Sequence, residues 1–157
     1  MIAIKPHHFV DIVTALGSGC TEFQPHPYGH AVHRVAKEIL ENRDIELRIE
    51  LGADDICAPC HQNAGGLCQD TIDTSFRPQA PRSKRDYNLL IDQRWCARLG
   101  LQQDDRLTAR QLCLRIRDSS HDITDIYRET PSERTATRQA KLQRGITRFL
   151  EESGDPQ

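Results

Sequence analysis

The sequence predicts a helix-rich α+β single domain with a small sheet and a cysteine-rich metal-binding loop. Three observations carry that expectation. Residues Ile45-Glu46-Leu47-Arg48-Ile49-Glu50-Leu51 alternate apolar and charged without a break, the period of a half-buried strand. Several longer stretches repeat apolar residues at helical spacing instead. The 157 residues, 37% of them hydrophobic, suffice for one core without requiring a second.

In chain order, Ile2 to Ile4 forms a short apolar segment stopped by Pro6, and it is expected to pair with the strand at 45–51. Between them, Phe9, Val10, Ile12, Val13 and Leu16 mark one helix, ended by Gly17 and Gly19. Val32, Val35, Ala36, Ile39 and Leu40 mark a second, which stops before Asn42. Residues 1–72 thus hold the sheet and the cysteine segment. Residues 73–86 carry Pro78 and Pro81 with few apolar anchors and are expected as a surface loop. The remainder, 87–151, is expected to be helical. Leu89, Leu90, Gln93, Cys96 and Ala97 share a helix that ends near Gly100, and Thr108 with Gln111 forms a capping box for the next. Thr130, Pro131 and Glu133 announce the last, which runs to about Glu151.

With 21 basic and 23 acidic side chains the net charge is -2, so no overall field gathers polyanions and nucleic acid is not an expected partner. The N-terminus lacks the plan of an export signal and no apolar run spans a bilayer, so the expected location is the cytoplasm, without membrane contact. In that compartment thiols stay reduced, and six cysteines read as ligands or buried apolar residues rather than as disulphides.

The strongest local signal is Cys57-Ala58-Pro59-Cys60, followed by Gly65-Gly66-Leu67-Cys68. Two cysteines separated by two residues can offer both sulphurs to one metal, and the glycine pair lets the chain reverse and return Cys68 to the same point. Thiolates select soft metals, which leaves zinc and iron–sulphur clusters. One pair with a lone third cysteine departs from the paired ligands of structural zinc and leans towards a cluster, a [4Fe–4S] centre ahead of zinc. The competing readings are buried thiols of no function and a redox pair, which would leave the glycines and Cys68 unexplained.

Lys5-Pro6-His7-His8, Gly17-Ser18-Gly19, Asp54-Asp55-Ile56-Cys57-Ala58-Pro59-Cys60 and Gly65-Gly66-Leu67-Cys68-Gln69-Asp70, in that order, resemble the bacterial and archaeal proteins of domain-of-unknown-function family 1284 over about the first two thirds of the chain. The resemblance implies an iron–sulphur-binding cysteine set without a known activity. It also implies a cysteine three residues after the second histidine, where this chain has Asp11. The fourth ligand is then open: Cys96 on an apolar helix face comes first, with Cys20, Asp11 and His61 as alternatives. If none completes the set, an iron with an open position would act as a Lewis acid, with His7 or His8 as acid or base; a redox or protein partner is the other implied use.

His26, His30 and His33 have the spacing of one helical face, but Pro25 and Pro27 argue against a second metal site there. Arg134, Arg138, Lys141 and Arg148 lie near one stripe of the last helix and read as a solvated face, since no aromatic residue interleaves with them. Asp54 and Asp55 precede a turn and are expected to cap it.

Overall fold

Ile2 and Ile4 open the chain with apolar side chains on a short extended segment, β1 (Ile2–Ile4), and both are buried. It lies parallel to β2 (Glu46–Ile49), with Ile2 opposite Leu47 and Ile4 opposite Ile49, the pairing expected from the sequence. The computed structural model describes residues 1–151; the final residues, 152–157, of the expected single domain lie outside the described residues. A third strand, β5 (Arg106–Thr108), pairs antiparallel with the other edge of β2 and places Leu107 opposite Leu47. Its three residues are too few to display a period, which is why it is not legible beforehand. The strand at 45–51 is also shorter than its alternation, because β5 offers only three partners and Leu51 N–H turns instead to the Gln103 side chain.

Between the parallel strands run α1 (Pro6–Gly17) and α2 (Val32–Glu41), where the apolar spacing put them. Pro6 sits in the first turn of α1, where its missing N–H costs nothing. A small hairpin, β3 (Asn63–Ala64) and β4 (Leu67–Cys68), turns on Gly65 and Gly66, whose φ angles of 60° and 84° lie in the left-handed region. Helix α3 (Lys84–Leu99) follows, capped by the Ser83 hydroxyl accepting from Asp86 N–H. The expected surface loop therefore ends at Ser83 rather than at residue 86. It is also tied down: Thr71 bridges Ser83, Arg77 Nε donates to the Asp73 carbonyl, and Ala80 is buried.

Helix α4 (Ala109–Ser119) begins with the expected capping box, Gln111 N–H donating to Thr108 Oγ1 and Thr108 N–H to Gln111 Oε1. The last helix, α5 (Ser132–Glu151), starts directly after Pro131. It packs on α1 at close range. A Cβ on Gly145 would stand 1.8 Å from the Val13 carbonyl oxygen, and one on Gly17 1.8 Å from that of Lys141. Phe9 and Phe149 meet edge to face beside this crossing, at 5.7 Å between centroids. Trp95 of α3, wholly buried, closes the core and donates its Nε1–H to Tyr127 Oη at 3.1 Å. No helix among the described residues is long and apolar enough to cross a membrane.

Candidate metal centre

The N-terminus of α1 organises everything around the cysteines. Its free N–H groups and positive dipole end attract negative charge, and two buried carboxylates supply it. Asp54 takes Lys5 N–H on Oδ2 at 2.8 Å, and His8 Nδ1 lies 2.7 Å from the same oxygen. Asp92, on α3 and wholly buried, takes His7 N–H at 2.7 Å and lies 2.8 Å from His7 Nδ1. The two adjacent histidines are thus drawn to different carboxylates, with ring centroids 4.3 Å apart.

That proximity divides their charge. Burial opposes protonation of His7, yet the Asp92 carboxylate outweighs it and raises the pKa. Burial lowers His8, and the neighbouring His7 lowers it further, against the pull of Asp54. Burial also works against ionisation of Asp54, but His8 and the N–H groups of Lys5 and Cys57 hold it well below the usual carboxylate range. A neutral His8 donating Nδ1–H to Asp54 keeps Nε2 as a lone-pair donor, the second-sphere arrangement of many metal-binding histidines.

Asp54 also builds the cysteine turn. Its Oδ1 accepts Ile56 N–H and Cys57 N–H, each at 3.0 Å, which is the capping role expected of it, while Asp55 Oδ2 accepts Ala3 N–H from β1. Cys60 N–H then closes on the Cys57 carbonyl at 2.9 Å and Asn63 N–H on the Cys60 carbonyl at 3.0 Å. Asn63 opens β3, and the glycine turn brings Cys68 directly opposite it. The result is one cavity of about 320 Å³ whose wall includes Cys57, Cys60 and Cys68.

Lys5 lines the same cavity. It is only 6% exposed, and its ammonium has no hydrogen-bond or ion-pair partner among the described residues. Arg85 lines it too, but lies 3.6 Å from Asp86. Burial, and then the Asp54 carboxylate, push the Cys57 thiol up to about 12. Burial and Asp54 thus favour the protonated thiol in a bare Cys57, and a soft metal would displace that proton. His8, Asp54 and Cys57 each offer a ligand atom within 4.8 Å of one another. Asp54 already accepts from four N–H groups, so within that trio the free donors are His8 and Cys57.

The other ligand candidates lie apart from this wall. Cys96 is buried in the core on α3, its thiol raised to about 11 by burial and by Asp92 and Asp105. Cys20 follows α1 with Sγ against the Glu22 carbonyl, and Asp11 is ion-paired to Arg138 at 2.8 Å. His61 holds the Tyr28 carbonyl through its backbone and packs its ring near Gly29. Cys113 is a core residue. His26 and His30 stack at 4.1 Å ahead of α2, so the three histidines do not share a helical face. Lys5 and Asp92 were not singled out from the sequence as site residues. Asp92 had a usable signal, an aspartate directly after the apolar run Leu89-Leu90-Ile91 and three residues before Trp95.

Comparison with models of known protein families, with curated proteins and with solved structures finds no match for the chain.

Proposed function

We propose that the chain is a metal-centre protein that holds an iron–sulphur cluster through Cys57, Cys60 and Cys68. The observation that carries the reading is the shared cavity: Cys57, Cys60 and Cys68, from a turn and a hairpin, line one space of about 320 Å³ together with Lys5, whose ammonium has no partner among the described residues. A single metal ion needs no such volume, whereas a cluster does, and a thiolate-bound cluster is anionic, the charge Lys5 complements. When bound, the cluster would supply one-electron chemistry. The chain's own contribution is to fix the three sulphurs through Asp54 and the glycine turn, to balance charge with Lys5 and to place Leu51 and Leu67 around the space.

A second reading has its own observation. His8 and Cys57 offer ligand atoms within 4.8 Å of one another, the start of a structural zinc site that Cys60 and Cys68 would have to close in to complete. His7, by contrast, lines a different cavity, so the geometry lends no support to its acting as an acid on a ligand of this centre.

The test is iron, zinc and acid-labile sulphide per chain, with a visible spectrum, on protein purified without oxygen. Iron with matching sulphide, lost in Cys68→Ala and kept in Cys96→Ala, supports the cluster. Zinc without sulphide, weakened in His8→Ala, supports the second reading. A chain with neither metal rejects both.

A further inference from the structure

A second cavity, of about 360 Å³, shares no lining residue with the first. Four cations line it: Arg77 from the segment before α3, and Arg134, Arg138 and Lys141 from α5. The stripe read as a solvated face is thus assembled into a wall, and the aromatic residues missing from its sequence arrive from elsewhere in the fold. Arg134 lies 3.9 Å from the Phe76 centroid, Arg77 lies 4.7 Å from both Phe76 and Tyr87, and Arg138 lies 4.5 Å from Tyr127. Stacked guanidiniums lose little freedom when they bind, and their edges remain available for hydrogen bonds.

Charge in the cavity does not balance. Asp11 is the acid on its wall and is engaged with Arg138; Asp73, near enough to feel Arg77 and Arg134, stands outside the lining. Four cations against these two carboxylates leave a surplus of two on a chain whose net charge is -2. Deeper in, His7 is 8% exposed; its Nδ1 is taken by Asp92, and its Nε2 has no hydrogen-bond partner among the described residues.

We propose that this cavity binds a doubly charged oxyanion, the phosphate group of a small molecule. Two surplus charges match a dianion, and bidentate guanidinium edges suit phosphate oxygens. Arginines lie over the rings, and Tyr87 and Tyr127 are themselves buried, which leaves little open ring face for stacking bases and favours a small ligand over RNA. The proposal is independent of the cysteine centre.

Calorimetric titration of the whole chain with inorganic phosphate, methyl phosphate and acetate at matched ionic strength tests it. Saturable binding of either phosphate in preference to acetate is expected, the tighter of the two identifying free phosphate or a monoester as the ligand. The double variant Arg134→Gln, Lys141→Gln should weaken it about tenfold or more. Arg148→Gln, on the same helix but bonded to the Leu16 carbonyl, should not. Both altered side chains reach solvent, and glutamine is a good helix former, so circular dichroism should show the fold retained. No saturation, acetate binding as well as phosphate, or equal losses in Arg148→Gln would overturn the proposal.

Discussion

Replacing Gly145 by alanine sets two effects against each other at one position. Within α5 alanine is the better residue by about 1 kcal/mol. Its Cβ, however, would stand 1.8 Å from the Val13 carbonyl oxygen, where an unstrained carbon–oxygen contact is about 3.3 Å. The obstacle is backbone, so no rotamer change relieves it, and α1 and α5 must part by about 1.5 Å across a seam that includes Val13, Leu16, Leu142 and Phe149. Overpacking of this kind costs about 3 kcal/mol, which leaves a net loss of about 2 kcal/mol after the gain in propensity. Urea denaturation should show that loss, and thermal unfolding a midpoint lower by about 4–8 °C. Gly17→Ala acts on the same seam, its Cβ 1.8 Å from the Lys141 carbonyl, so the double variant should lose less than the two single losses together. A Gly145→Ala chain as stable as the parent would refute the close crossing.

Asp92→Ala strands His7 N–H and Nδ1 in the core and should cost about 3–5 kcal/mol by chemical denaturation, with Asp92→Asn, which keeps an acceptor, costing less. In the metal-free chain the two histidines give opposite pH dependences. The raised His7 contributes stability that is full below its ordinary value of 6.5 and is lost as pH rises through its folded pKa. The lowered His8 contributes stability that is full above 6.5 and is lost as pH falls through its own. Their joint contribution therefore peaks near pH 6.5; ring-proton NMR titrations should find His7 titrating above His8, and the reverse order would sink the assignment. Alkylation at pH 8 followed by mass spectrometry should leave Cys113, inaccessible and pushed by burial up to about 12, unmodified until the chain unfolds, while Cys20 reacts in the native state.

What could be read beforehand is what local chemistry dictates. The capping box at Thr108, the helix after Pro131 and the glycine turn before Cys68 each need only a few neighbouring residues, and each stands where it was expected. Strand β5 escaped because three residues carry no period and its partner lies some sixty positions earlier. Spacing led to the expectation that Cys57, Cys60 and Cys68 share one neighbourhood, and all three line one cavity; the presence of Lys5 there was not expected, since nothing around it announces that its side chain is buried. The basic wall escaped for a similar reason. Its aromatic partners are Phe76, Tyr87 and Tyr127, none of them on α5, so only the fold brings them to the arginines.

The same geometry bears on position 11. The cysteine ligand that the sequence resemblance led us to expect at this position is an aspartate in this chain, Asp11. Asp11 lies one turn beyond His7, lines the cationic cavity with it, and reaches across to Arg138 of α5. The side that meets the cysteine turn is held by His8 and Lys5 through Asp54. A cysteine at 11 would therefore face arginines rather than the three sulphurs. Asp11→Cys should leave metal and sulphide per chain unchanged, and by removing the carboxylate from the cationic cavity it should tighten phosphate binding there. A gain in metal or sulphide per chain in that variant would instead place position 11 with the cysteine set, and the side of α1 assigned to His8 would have to be abandoned.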